Sequence, residues 1–508
     1  MFHLSSMINW IQLILLLLVL LITWYFYKFY IRRWLSPLQK IPGCPYHPIV
    51  GNMLEVRKSE AMTSTIKWMK DLKSKIIRFY FFGGQERLLV ADPDIFRHVL
   101  VTNSKNYVRY GIGLKLLDWM DIQPLFVLSG ENHHVIRKVS NPAFSLQALY
   151  ACDFGFLEMV PVFNEKALSL INQWSEIITD NENGADIGVQ MGLSGLTLDV
   201  ICKCGCEYEL QAIENIKTYD VERFPEYVKQ HWSKDNFHCS FLDLLPFSKH
   251  MPFKRNKRLS EDIAYVKKLA TTIIQKKEHH LKESGKYPHK DILSILMSAR
   301  DEEGLGLSDK DLFGQILGFL IAGYETTSTS MTWTLLQLAQ NPDIQDKVRS
   351  EVQQVLGTST TEITPGHLDK LHYLTCVIKE TLRLLPPITS LFRKSLHDDK
   401  FKDYDIPAGT IIGLHIGALH RLNWEDPDRF NPERFMTSTE EDSKKFLPFG
   451  FGPYMCIGNK FAYMEMKTVL ALLVKNFKFT MVPGYTFRRV TSIVMRPSPS
   501  LVLRVTKV

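Results

Sequence analysis

Hydrophobic and polar positions divide the chain into three stretches of different character. Residues 1–27 carry no Asp, Glu, Lys or Arg, residues 10–27 are almost wholly apolar, and residues 29–31 extend the run past Lys28. About 20 such residues suffice for one helix to cross a bilayer. Trp10, Trp24, Tyr25, Tyr27 and Tyr30 suit its two interfaces. Lys28, Arg32, Arg33 and Lys40 follow on the C-terminal side, the side that the positive-inside rule leaves in the cytosol. A cleaved signal peptide would carry its charges ahead of a shorter apolar run, so residues 1–31 read as a transmembrane signal-anchor. Pro37, Pro42, Pro45 and Pro48 then make a stiff, non-helical spacer, a basic and proline-rich hinge over residues 32–50. Residues 51–508 form the remaining domain. Strand-like runs near 76–82 and 87–90 precede long amphipathic helical patterns that continue to about Pro386. A polar stretch, 276–290, reads as a surface loop or a helix end. Short strands, turns and one more helix after Cys456 complete the chain. The expected class is mainly α with small β-sheets.

Composition narrows this only a little. The chain has 508 residues, 45% hydrophobic and 23% charged, enough for a large core and, by length alone, for two to four domains. No low-complexity linker or repeat divides it. The net charge of +7 is mild and the basic residues are dispersed, which argues against nucleic acid as a partner. The eight cysteines have no small disulfide scaffold to hold. Cys202, Cys204 and Cys206 sit close together, but a zinc site needs separated ligand pairs and none follows. They read as small residues on a helix, with the thiols reduced and the domain facing the cytosol. The absence of any Asn-x-Ser/Thr acceptor points the same way.

The chemistry concentrates near residues 449–458, Phe-Gly-Phe-Gly-Pro-Tyr-Met-Cys-Ile-Gly. A cysteine follows a glycine-punctuated turn and precedes a helical run over 459–473. Glycines allow a backbone tight enough to approach a flat cofactor. Amides at a helix N-terminus stabilise a thiolate. This segment resembles the haem-binding loop of the cytochrome P450 family, Phe-x-x-Gly-x-x-x-Cys-x-Gly, with Phe449, Gly452, Cys456 and Gly458 filling every slot. The resemblance runs from the anchor to the C-terminus, looks closest to the microsomal eukaryotic type, and implies the cytochrome P450 fold behind one N-terminal transmembrane helix. It implies haem b with Cys456 as the axial iron ligand, a thiolate that favours O–O cleavage.

Other segments agree in order and spacing. Ala322-Gly323-Tyr324-Glu325-Thr326-Thr327 lies in an apolar helical run, 312–338. Gly in a helix interior costs about 0.5–1 kcal/mol against Ala, so something should fit against the backbone at Gly323. A carboxylate and a hydroxyl in such a helix also need partners. The resemblance implies that Gly323 leaves room for dioxygen and that Glu325 and Thr326 handle proton delivery. A threonine bonded back to its own helix is the structural alternative. Glu380 and Arg383, three apart, share a helix face. The family's Glu-x-x-Arg implies a buried network with Arg434 that steadies the cysteine loop. Arg393 and Arg137 match arginines that pair with haem propionates, for which a planar fork is suited. Two positions depart from the pattern: His133 where the family usually has Trp, and Tyr454 where it usually has Arg or His. Both can still donate hydrogen bonds, but Tyr carries no positive charge, which puts haem retention and potential in question.

By resemblance the substrate cavity is lined by Phe126 and Val127, by Gly318, Ile321 and Ala322, by Ile388 and Leu391, and by Ile493 and Val494. All are apolar or small, which implies a hydrophobic substrate: a lipid, terpenoid, sterol or xenobiotic. Ordinary core residues would look the same. The chain before about His250 should form the access lid. The family inserts one oxygen atom of O2 into its substrate. No dinucleotide or flavin fingerprint is present, so electrons from NADPH imply an NADPH-dependent flavoprotein reductase as partner, with cytochrome b5 as a second donor. Arg137, Lys138, Lys444, Lys445, Lys460 and Lys467 could steer an acidic partner. The expected setting is the endoplasmic reticulum membrane, single-pass, with the catalytic domain in the cytosol. Two rival readings remain at this level. One is a haem-dependent isomerase or dehydratase of peroxides, against which Glu325 and Thr326 argue. The other is a non-catalytic, membrane-anchored lipid-binding protein.

Overall fold

The structure is a computed structural model that describes residues 2–111, 122–145, 159–179, 184–214, 254–284, 291–298, 307–357, 362–491 and 493–508. The segment expected to form the access lid falls largely outside these residues. The chain divides into two compact units, one of residues 1–110 and 390–418, the other of residues 111–389 and 419–508.

The first unit begins with helix α1 (Phe2–Phe26). By length and composition, Gln12–Trp34 is apolar enough to cross a membrane, with mean hydropathy 2.0. The proline-rich segment after it is tied to a sheet. Leu38 and Ile41 are buried. The Cys44 N–H donates to the Arg78 carbonyl and the Arg78 N–H to the Pro42 carbonyl, each at 2.8 Å. Proline can accept in such a ladder although it cannot donate. The sheet runs β1 (Ile76–Phe81), β2 (Gln85–Val90), β8 (Ile411–Leu414), β5 (Leu391–Ser395) and β3 (Tyr107–Arg109), with β2 and β8 parallel and the other neighbours antiparallel. Every β1 residue is buried, as in a strand covered on both faces. A hairpin of β6 (Asp399–Phe401) and β7 (Tyr404–Ile406) stands beside the main sheet order.

The second unit is helical. Its elements are α2 (Gly130–Ser140), α3 (Met159–Thr179), α4 (Val189–Cys206), α5 (Lys254–Ser284), α6 (Ile292–Ser298), α7 (Asp309–Gln340), α8 (Pro342–Leu356), α9 (His372–Leu384) and α10 (Asn459–Asn476). It adds the sheet β4 (Ala185–Ile187), β12 (Leu503–Lys507), β9 (Phe477–Met481) and the hairpin β10 (Arg488–Thr491), β11 (Met495–Ser498). The polar residues from Lys276 belong to the last turns of α5 as far as Ser284. Cys202, Cys204 and Cys206 are buried on α4.

The axis of this unit is α7. The Ser308 Oγ caps its first turn by accepting from the Asp311 N–H at 3.1 Å, and Asp309 and Asp311 complement the helix dipole. Most of its length is buried. Two of its three glycines have close neighbours. A Cβ on Gly323 would come within 2.9 Å of Ile201 Cγ1 on α4, and one on Gly318 within 2.3 Å of Pro124 Cβ. The Thr197 Oγ1 donates across the same interface to the Tyr324 carbonyl at 3.0 Å. The expectation that Gly323 clears space for dioxygen is therefore revised: the side of the helix a Cβ would occupy is filled by Ile201, and the glycine lets α4 and α7 approach.

This generates a test. In an open position, Gly323→Ala would gain about 0.5–1 kcal/mol of helix propensity. Against Ile201 it is expected to lose about 1–3 kcal/mol, with part recovered by Ile201→Ala, as read by chemical denaturation.

Candidate active site

Cys456 ends a turn that its glycines make possible. Gly450 and Gly452 have φ of 73° and 70°, where a side chain would be strained. The turn closes on its own backbone. The N–H of Gly450 donates to the Leu447 carbonyl at 3.1 Å, that of Met455 to Gly452 at 3.0 Å, and that of Cys456 to Phe449 at 2.9 Å. The Asn459 amide donates to the Cys456 carbonyl at 2.7 Å. Helix α10 starts at Asn459, so the positive end of its dipole lies beside the sulfur. Cys456 is exposed, whereas the other described cysteines, Cys44, Cys202, Cys204, Cys206 and Cys376, are buried. Burial pushes the Cys44 thiol up to about 12.

Helix α2 lies along this turn. Arg137 donates through Nη1 to the Met455 carbonyl and through Nε to Asn141 Oδ1 at 2.7 Å. Burial lowers its pKa, and negative charge on Cys456 opposes that shift. The Gly130 N–H donates to Tyr454 Oη at 3.1 Å. The buried His133 ring is 4.4 Å, centroid to centroid, from the Tyr454 ring. The two departures from the family pattern thus touch each other. Ile457 and Phe319 of α7 pack on one cluster, Leu125, Leu128 and Ile136, which links the cysteine turn to α7.

On α7, Ala322 is exposed and Thr326, one turn on, is half-exposed. The Thr326 Oγ1 donates to the Ala322 carbonyl at 2.7 Å, the intrahelical bond weighed above as the alternative. Glu325 is buried, with Oε1 3.7 Å from Arg496 Nη1 on β11. Gly318 meets Pro124, with the Phe126 ring 3.5 Å from where a Cβ would be. The Met495 N–H donates to the Pro387 carbonyl at 2.7 Å, and Trp333 Nε1 on α7 donates to the Met495 carbonyl at 3.0 Å. These bonds bring the segments of Ile388, Ile493 and Val494 together and tie the last two to α7. Ile321, Val127, Ile388 and Ile493 are half-exposed, Phe126 exposed, Val494 buried. Arg393 and Leu391 belong to β5 of the first unit. There Arg393 pairs in register with Arg109 and Ile412 and donates to the Phe392 carbonyl at 2.9 Å.

A buried ionic network is linked through His420 to Leu447, ahead of the cysteine turn. Arg383 donates bidentately to Glu380 at 2.7 and 2.9 Å. Arg434 Nε and the Asn431 N–H bond the same Glu380 oxygen at 3.0 and 2.8 Å. The remaining Arg383 donors reach the carbonyls of His420, Pro427 and Arg429. Glu380 and Arg383 are fully buried.

The family model described as Cytochrome P450 matches residues 41–504. The chain belongs to the cytochrome P450 family. It is 28% identical over 494 residues to cytochrome P450 72A15 of Arabidopsis thaliana, covering 92% of this chain and 91% of that one. It is 29% identical over 520 residues to the taurochenodeoxycholic 6 alpha-hydroxylase of Sus scrofa, covering 99% of both. A retinoic acid bound cyanobacterial CYP120A1 shares the fold, with a TM-score of 0.75 over 92% of this chain and 99% of that one, at 24% identity. The protein is therefore an oxidoreductase, a P450 monooxygenase, and the family's haem and cysteine thiolate suit what the site offers: an accessible sulfur at a helix start, and Arg137 with polar and apolar neighbours around it.

Two residues went unnoticed in the sequence. Arg496 carries no motif; only the β10–β11 pairing brings it to Glu325. His420 accepts the Leu447 N–H at 2.9 Å through Nε2, steadying the entry to the P450 cysteine turn. Burial, then the charge of Arg383, depresses its pKa to about 3.

Two outcomes follow. Glu380→Leu leaves two arginines without their carboxylate and is expected to cost about 3–5 kcal/mol in chemical denaturation. His420 is neutral in the fold but gains a proton near pH 6.5 when unfolded. Its contribution to stability is thus present above about 6.5 and lost as the pH falls towards 3. His420→Gln should flatten that part of the acid unfolding profile.

Proposed function

We propose that Cys456 is the axial ligand of haem b iron in a monooxygenase that oxidises a hydrophobic lipid, terpenoid, sterol or xenobiotic. The observation that carries this reading is the cysteine turn itself: an exposed thiol whose backbone is bonded on both sides and whose helix favours the thiolate. Haem so held supplies oxygen activation, with the thiolate favouring O–O cleavage.

The chain's own residues have separate tasks. Cys456 holds the iron. Arg137, His133, Tyr454 and Arg393 are the candidates for binding haem carboxylates, with Phe449 and Gly458 framing the sulfur. Thr326 and Glu325 deliver protons: the half-exposed Thr326 hydroxyl donates to the Ala322 carbonyl, and Glu325 is the nearest acid in sequence. Phe126, Val127, Gly318, Ile321, Ala322, Ile388, Leu391, Ile493 and Val494 orient an apolar substrate and exclude water from it. A relative named for hydroxylating taurochenodeoxycholic acid supports an amphipathic or lipid-like substrate.

Electrons come from NADPH through a flavoprotein reductase, with cytochrome b5 as a second donor. Residues 1–31 anchor the protein in the endoplasmic reticulum membrane, residues 32–50 tether it, and residues 51–508 face the cytosol as the catalytic domain. The apolar helix and the basic residues that follow it support this orientation.

The test is the difference spectrum of the reduced, carbon-monoxide-bound protein, with turnover of candidate lipids. Wild type should give a strongly red-shifted Soret band, absent in Cys456→Ser, and product should require both NADPH and reductase. A haem-loaded wild type with an unshifted band would exclude Cys456 as a thiolate ligand.

A further inference from the structure

Gly130, His133 and Arg137 recur at three- and four-residue intervals, which places them on one face of α2. Each meets a different atom group of the dipeptide just before Cys456. The Gly130 N–H donates to Tyr454 Oη, the His133 ring packs on the Tyr454 ring, and Arg137 donates to the Met455 carbonyl. His133 is 3% exposed, so its side of the ring contact is desolvated, where aromatic pairs and hydrogen bonds count for most. The rest of the turn is bonded to itself or to α10. Hydrogen bonds to α2 are thus made at two consecutive residues, one by a side chain and one by a carbonyl, beside the packing of Ile457 on the cluster that includes Ile136.

We infer that Tyr454 is a positioning residue for Cys456, acting through Gly130 and His133 to make α2 and the cysteine turn one rigid body. In this chain an aromatic ring carries an acceptor as far as the first turn of α2. Tyr provides both the ring for His133 and the oxygen for Gly130. Arg137, one or two turns along the same helix face, then meets the Met455 carbonyl at a fixed distance from the sulfur. The inference rests on the reading that Cys456 holds the haem.

The experiment uses the full-length, haem-loaded protein. It measures the rate of haem loss to a scavenging apoprotein and the fraction of the reduced carbon-monoxide spectrum in the red-shifted, thiolate band. Tyr454→Phe keeps the ring and removes one hydrogen bond. It should speed haem loss about fivefold, the effect of one ordinary bond. Tyr454→Ala removes the ring contact as well and should reach about thirtyfold, with a reduced thiolate band. His133→Ala should be harmful alone but add little in the Tyr454→Ala background, because the two act through each other. Wild-type rates and band fraction in both Tyr454 variants would overturn the inference, and so would effects of His133→Ala and Tyr454→Ala that multiply independently. A wild type without the red-shifted band would instead defeat the ligand reading and this inference with it, so the two failures are told apart by the wild-type spectrum.

Discussion

The Glu380 carboxylate gathers the chain that precedes the cysteine turn. Its two oxygens receive Arg383 twice, Arg434 and the Asn431 N–H. Arg383 in turn gathers carbonyls from residues 420, 427 and 429. An ion pair this deep gains little over well-packed apolar residues, and its desolvation is costly. Its use lies in geometry. The irregular backbone between 423 and 431 has few ladder partners of its own, and a planar guanidinium with five donors can hold its carbonyls at 427 and 429 together with that of His420. From there the chain passes to Leu447, held by neutral His420, and into the turn.

The second constraint is the spacing of α4 and α7. Glycine in a helix interior is normally a weakness. At Gly323 it is a condition of packing, since Ile201 occupies the space of the missing side chain. Close approach at this level, together with the Thr197 bond to the Tyr324 carbonyl, fixes the rotation of α7 about its axis. That rotation places Ala322 and Thr326 on an open face while Glu325 turns to Arg496. Glu325 and Thr326 are adjacent in sequence yet about 100° apart on the helix, so one wheel position decides the environment of both.

How much of this was legible in the sequence depends on how local each feature is. The apolar N-terminal helix, the cysteine turn with its glycines, and the Glu380–Arg383 pair are each specified within one contiguous stretch of sequence, and their residue types leave few other uses. What was not legible is pairwise and distant. The glycine at 323 advertises a close approach but not the approaching atom; only the fold names Ile201. Arg496 has the appearance of any strand cation until the β10–β11 hairpin carries it to Glu325. The proline segment reads as a stiff spacer with no named partner, because a ladder that uses Pro42 as acceptor leaves no mark in residue types. His133 and Tyr454, 321 positions apart by their numbers, look like two separate losses until their rings meet.

That last case shows why the cysteine needs so many distant contacts. A ligating sulfur stands on one short, rotatable bond and has little surface of its own to be packed by. Its position must therefore be set by the backbone that carries it. Of the groups nearest the sulfur, the Cys456 N–H is bound to Phe449, its carbonyl to Asn459, and the Met455 carbonyl to Arg137. Such over-determination is what allows left-handed residues such as Gly450 and Gly452 to persist in one conformation. It also explains why rigid helices on either side, α2 and α10, rather than the turn's own small core, define where the sulfur points.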